Sequence, residues 1–295
     1  MSPNLRASLY MVLSMAGFSI NDALVKSLGG VLPTTQVLGV RGLILGILIA
    51  LVLWQRGLLP RLREAFIPMV GLRASMELGA AYCFLMALVS LPFASVSAIL
   101  QALPLAVTLG AAVVFRETVG WRRWTAIAVG FIGVMIIIRP GTGGFAPASL
   151  WVVVSVVFAA ARDLSTRALP GTLPSLMVSG ATTVLISFFG FVLVFASGDW
   201  VSMSLLQLAT LSLASVFLFV GYQCIVLSMR TGDVAYVVPY RYTSLLWSIM
   251  LGFLFFDEVP DGYTLLGSGI VIAMGLFTLY RELMLGRRAR QSLLR

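Results

Sequence analysis

Residues 115–134, FRETVGWRRWTAIAVGFIGV, and residues 256–276, FDEVPDGYTLLGSGIVIAMGL, each set a glutamate just past an apolar run and then open a second run spaced by glycines. The glutamates, Glu117 and Glu258, lie 141 residues apart, and that spacing recurs upstream in Asp22 with Asp163, Lys26 with Arg167, Pro33 with Pro174, Gly39 with Gly180 and Cys83 with Cys224. Beyond the glutamates it becomes 142, pairing Trp121 with Tyr263, Gly133 with Gly275 and Arg139 with Arg281, as one inserted residue produces. One offset held from end to end marks a duplication, with units at 1–145 and 146–295.

The solvent of this duplicated chain is lipid. Of its 295 residues 60% are hydrophobic and 11% charged, and its mean hydropathy is +1.02; a soluble domain carries about 25% charged residues. Apolar runs of about 20 residues, enough to cross a hydrocarbon core of about 30 Å, recur throughout. They fall near 7–28, 35–54, 66–89, 93–115, 121–139, 147–166, 174–197, 204–229, 233–255 and 263–281. Stretches such as VGFIGVMIII lack the alternation of a membrane β-barrel strand. The fold class expected is an all-α membrane protein of ten transmembrane helices. The first run carries Asn21 and Asp22 and is followed by nine more, so it is expected to remain in the mature chain rather than be cleaved as a signal peptide.

The net charge of +9 sorts by membrane side. With the amino terminus in the cytoplasm, fourteen basic residues fall inside, from Arg6 through Arg56, Arg116 and Arg230 to the tail with Arg287, Arg288, Arg290 and Arg295. Only Lys26 and Arg139 fall outside, while Arg41, Arg73, Arg162 and Arg241 lie within spans. The bias places both termini in the cytoplasm and explains the basic balance without nucleic acid. Five helices per unit is an odd number, so the second unit enters from the opposite side, and the repeats are inverted. Such halves can exchange conformations, turning a cavity open to one side into one open to the other. The arrangement is expected to act as a monomer.

The paired stretches resemble the signature of the EamA family in the drug/metabolite transporter superfamily. The resemblance covers nearly the whole chain in length and five-plus-five plan, and Arg41 and YRYTSLLW (240–247) also resemble common family positions. It implies a secondary carrier. Within the family, the YddG-type exporters of aromatic and other apolar amino acids are the fit it suggests, with carriers of a purine, vitamin or drug-like amphiphile as the alternative.

Charges at membrane depth are costly, so Arg41, Arg73, Glu77, Arg162, Asp163 and Arg241 are expected to face an interior or aqueous cavity. Two readings stand for Arg73 with Glu77, Asp22 with Lys26 and Asp163 with Arg167, each four residues apart. They are structural pairs one helical turn apart, or Asp22, Glu77 and Asp163 form a proton or charge relay. Arg241 has no carboxylate one turn away and sits among Tyr236, Tyr240, Tyr242, Thr243 and Trp247. It either meets a substrate carboxylate with rings around it, or snorkels toward headgroups.

In the fourth span Ser97, Gln101, Pro104 and Thr108 share one stripe. Pro104 and Pro239 occupy matching spans and each leaves a carbonyl without its helical donor, so both are candidate hinges. Ser75, Gly79, Tyr82 and Met86 make a stripe in the third span, and Ser215, Phe219 and Tyr222 in the eighth. The substrate-binding set expected is therefore Tyr82, Met86, Ser97, Gln101, Tyr222, Tyr240, Arg241, Tyr242 and Trp247, in a midplane cavity walled by spans one, three, four, six, eight and nine.

The sequence has no histidine, no cysteine beside a base and no glycine-rich phosphate loop, so neither catalysis, a metal nor a cofactor is expected. The cargo expected is an amino acid or similar small amphiphile, because a cavity poor in charge desolvates polyanions badly.

Overall fold

The structure, a computed structural model, describes residues 2–116, 120–170 and 173–293. Glu117 and Arg295, used above, lie outside the described residues. The first helix, α1 (Pro3–Lys26), starts where Ser2 accepts the Leu5 N–H at 3.3 Å and Pro3 needs no donor, and it ends with Lys26 in the last turn. There follow α2 (Thr34–Gln55), α3 (Pro68–Ser90), α4 (Phe93–Leu100), α5 (Leu103–Val114), α6 (Trp121–Ile138), α7 (Ser149–Arg167), α8 (Ser175–Ser197), α9 (Leu205–Thr231), α10 (Val234–Val237), α11 (Thr243–Phe256) and α12 (Gly262–Leu293).

The chain crosses the membrane ten times. Among the described residues nine helical stretches are long and apolar enough to span by themselves, counting α4 with α5 as the fourth. The ninth span is assembled from α10, a 3-10 segment Val238–Tyr242 and α11. The large apolar side chains left exposed, Phe188, Phe195, Phe253 and Phe255 among them, cover surface that faces lipid.

The two halves interlock rather than lie side by side. The closest helix pairs are α1 with α9, α3 with α7, α2 with α8 and α6 with α12, each joining one repeat to the other. The first two pairs are images of each other at the sequence offset of 141. Ser14 Oγ donates to the Gly221 carbonyl at 2.7 Å across α1 and α9, and Ser155 Oγ to the Ala80 carbonyl at 2.8 Å across α7 and α3. The bundle ends repeat the relation: Lys26 Nζ lies 5.4 Å from the centre of the Phe256 ring, and the Arg167 guanidinium 5.4 Å from that of Phe115. These are inverted repeats, with α2·α8 and α6·α12 straddling the two-fold axis.

Close approach requires glycine where those helices cross. The backbone of Gly39 in α2 lies against Gly190 in α8, where a Cβ on either residue would press on backbone, and Ser187 Oγ donates to the Gly39 carbonyl at 2.9 Å. In α6 and α12, Gly133 and Gly267 each face the carbonyl of the other.

At the face opposite the amino terminus a largely buried ion pair ties several spans together. Lys26 Nζ lies 3.1 Å from Glu258 Oε1 and donates to the carbonyls of Leu88 and Leu91, while Glu258 Oε2 accepts the Phe93 N–H at 2.6 Å. Pro92, the residue capping α4, offers no side-chain acceptor. Glu258 therefore serves as the cap and fastens the ends of the first, third, fourth and ninth spans together.

Candidate functional site

The fourth and ninth spans break where their prolines stand. Pro104 brings no N–H to the Leu100 carbonyl, and the helix stops at Leu100 and resumes at Leu103. Pro239 lies in the 3-10 segment that interrupts the ninth span. The breaks meet: Gln101 Nε2 donates to Ser244 Oγ at 2.9 Å, with the Tyr242 carbonyl at 3.5 Å.

Beside this junction lies a cavity of about 550 Å³, within the range of about 300–1,000 Å³ usual for small-molecule sites. Spans one, two, three, four, six, seven, eight and nine wall it, and five and ten contribute nothing. The second and seventh spans thus join the six expected from sequence. The cavity runs from Asp22 and Leu38, toward the fastened face, to Ile49, Arg73, Thr166 and Ser179, near the span ends on the amino-terminal face.

Its charged residues fall into two sets of different character. Toward the amino-terminal face, Glu77 sits between Arg73 at 3.6 Å and Arg162 at 3.1 Å, and Arg162 also pairs with Asp163 at 2.8 Å. Arg73 spends its remaining donors on Thr166 at 2.9 Å and Thr182 at 2.7 Å. This set is internally neutralised and hydrogen-bonded, the condition under which charges tolerate burial. The second set is open. Asp22 Oδ1 accepts from Asn21 Nδ2 at 2.8 Å, but Asn21 Oδ1 is buried without a partner. The guanidiniums of Arg41 and Arg241 line the cavity and, among the described residues, make no ion pair or hydrogen bond.

Of the residues singled out by sequence, Ser97, Gln101, Tyr222, Arg241, Asp22, Glu77 and Asp163 line the cavity; Tyr82, Met86, Tyr240, Tyr242 and Trp247 do not. The reasons are local. In a 3-10 segment of about three residues per turn, successive side chains diverge by about 120°. Arg241 therefore points inward while Tyr242 packs on Gly275 of α12, and Tyr240 and Trp247 pack against the cluster of Ala7, Met11, Met15 and Val237. In α3 the inward face is Arg73, Glu77, Ala80, Ala81 and Phe84. Tyr82 instead stands edge-on to Trp151 of α7 at 6.3 Å. The break at Gln101 ends the fourth-span stripe, leaving Pro104 exposed and Thr108 bonded to the Pro104 carbonyl. Ser179, Thr182 and Thr183 in α8 line the wall unforeseen; the polar run at 179–183 inside an apolar span was the available signal.

Comparison with known proteins agrees with this architecture. The chain is 31% identical over 204 residues to a riboflavin transporter of Rhizobium johnstonii, covering 69% of this chain and 66% of that one. It is 28% identical over 198 residues to an S-adenosylmethionine uptake transporter of Rickettsia prowazekii, covering 65% and 64%. These two matches span just under two thirds of the relatives' length. A pseudopaline exporter of Pseudomonas aeruginosa is 28% identical over 285 residues, covering 92% and 95%. A solved crystal structure superposes with a TM-score of 0.64 at 18% identity, covering 96% of this chain and 98% of the other, a likeness of fold. The EamA-like transporter family matches twice, over residues 5–139 and 146–280, and the chain belongs to that family.

Proposed function

We propose that this protein is a secondary carrier of the bacterial inner membrane, with both termini cytoplasmic, that exports amino acids with apolar side chains, or small amphiphiles like them, by alternating access. The observation that carries the reading is the cavity itself, where two guanidiniums that make no ion pair or hydrogen bond among the described residues, Arg41 and Arg241, stand among walls of Leu38, Leu45, Phe84, Ile186 and Leu218. A guanidinium binds a carboxylate in two parallel hydrogen bonds, and apolar walls shelter a side chain. A solute with one anionic group and an apolar body satisfies both; a phosphorylated sugar has no apolar body for those walls to shelter.

The inverted repeat supports alternation. The cavity extends toward the amino-terminal face, while Lys26 and Glu258 fasten the other, and the mates Arg167 and Phe115 stand where the image of that fastening belongs. Pro104 and Pro239, at the two breaks, are the proposed hinges. The chain is read as two units, 1–145 and 146–295, acting within one monomer.

A second reading is favoured by the riboflavin transporter relative. A flat, largely neutral ring system would use the apolar walls and the Gln101–Ser244 junction rather than the arginines.

The test is uptake into liposomes by the purified protein, comparing phenylalanine, threonine, riboflavin and a phosphorylated sugar. Saturable movement of phenylalanine, lost in Arg241→Gln, is expected. Riboflavin movement without phenylalanine movement would establish the second reading, and movement of the phosphorylated sugar alone would overturn both.

A further inference from the structure

The cavity's open charges are not all cationic, and their arrangement specifies more than a carboxylate. Asn21 and Asp22 sit one turn before the end of α1, and Arg41 two turns into α2, so all three lie toward the fastened end of the cavity. Asn21 is 1% exposed and its Oδ1 has no donor; Asp22 keeps an oxygen beyond the one that accepts from Asn21. Asp22 and Arg41 act on each other electrostatically yet do not form an ion pair. Here, then, are two acceptors in want of donors and a fork of donors in want of an acceptor, close together at the blind end of a cavity. Their counterparts in the other repeat are different: Asp163 follows Arg162 and is closed by it, and Thr182, the mate of Arg41, accepts from Arg73. Only one image of the pair has been left open.

We infer that Asn21, Asp22 and Arg41 form the head-group site for a zwitterion, the ammonium donating to Asp22 and Asn21 Oδ1 and the carboxylate accepting from Arg41. An α-amino-acid head carries both groups on one carbon, and it bridges a carboxylate and a guanidinium that are near but not paired. An ammonium has three N–H donors, enough for both open acceptors, and brings the positive charge that Asp22 calls for; a purely anionic head brings neither. The inward set, Arg73, Glu77, Arg162 and Asp163, then serves as a neutral passage and not as the binding point. This rests on the carrier reading above and narrows its cargo to zwitterions.

The experiment uses full-length protein in liposomes loaded for exchange, with labelled phenylalanine as the probe. Competitors are 3-phenylpropanoate, which lacks the ammonium, and 2-phenylethylamine, which lacks the carboxylate. Wild type is expected to favour phenylalanine over either by about tenfold or more, the loss usual when a buried charge is left without its partner. In Asp22→Asn the advantage over 3-phenylpropanoate collapses while that over 2-phenylethylamine persists, and Arg41→Gln gives the reverse. Melting temperatures of both variants in detergent check that they fold, and Asp22→Glu is expected to recover part of the discrimination. Equal competition by 3-phenylpropanoate, or discrimination unchanged in Asp22→Asn, overturns the zwitterion site while leaving the carrier reading standing. Absence of exchange with any of the three compounds overturns both.

Discussion

Removing Glu258 should loosen the face opposite the amino terminus by a predictable amount. Its two oxygens do separate work: Oε1 meets Lys26 at 3.1 Å, and Oε2 caps α4 through the Phe93 N–H at 2.6 Å. The side chains of Lys26 and Glu258 are 8% and 21% exposed. Breaking a buried pair by losing one partner costs about 3–5 kcal/mol. Here the cost falls below that range, to about 2 kcal/mol, because Glu258 is partly wetted and Lys26 keeps the Leu88 and Leu91 carbonyls. The lost cap adds about 1 kcal/mol. Glu258→Gln keeps an oxygen for Phe93 and is expected to cost about 1.5 kcal/mol, and Glu258→Ala about 3 kcal/mol. At 1.4 kcal/mol per decade these are shifts of about tenfold and a hundredfold toward opening at that face. A cysteine at Ser97, which lines the cavity, reports this in a background with Cys83 and Cys224 replaced by serine. Its labelling by an impermeant thiol reagent applied from the fastened side should accelerate in the order wild type, Gln, Ala. In a double-mutant cycle Lys26→Met and Glu258→Gln should couple by about 1 kcal/mol or more. Labelling unchanged in Glu258→Ala, or a coupling near zero, would refute the account of this ion pair as a fastening.

Two further outcomes follow from the same face and from a glycine crossing. Asp261, in the loop before α12, is held below its ordinary carboxylate value by hydrogen bonding from Thr264 and then by Arg139, 2.6 Å away. A lowered folded-state value means the contribution is complete above the unfolded value of 3.8 and is lost as pH falls further. Acid melts of wild type should therefore show a drop in Tm below about pH 4 that Asp261→Asn reduces; identical profiles would count against it. At the crossing of α2 and α8, Gly190→Ala drives a methyl onto the Gly39 backbone, and an overpacking cost of about 1–3 kcal/mol should lower Tm in detergent. A neutral result would mean that α2 and α8 separate freely.

Much of the fold was legible because the membrane demands long apolar runs and duplication leaves an offset. Asp22 with Asp163 and Pro33 with Pro174 carry the duplication on which the inverted plan rests. The site was less legible, for two physical reasons. A helical stripe drawn through Gln101 or across 239–242 crosses a break in the helix, so it puts on the cavity face Thr108 and the tyrosines flanking Arg241, which do not line the cavity. In α3 the stripe of Ser75 and Tyr82 was followed, whereas Arg73 and Glu77, one turn apart, mark the inward face more strongly because charge at that depth has nowhere else to go. That Glu77 is satisfied and Arg41 is not depends on contacts between helices distant in sequence, which no periodicity reveals.

The glycine contacts between the halves have a kinematic consequence. Gly39 against Gly190 and Gly133 against Gly267 bring backbone onto backbone at two separate crossings between the repeats. Where backbone meets backbone there is no side chain to yield, so relative motion of the halves is expected to be a rotation of one helix on the other rather than a separation. If the proposed alternation uses that rotation, closing one mouth and opening the other are a single movement.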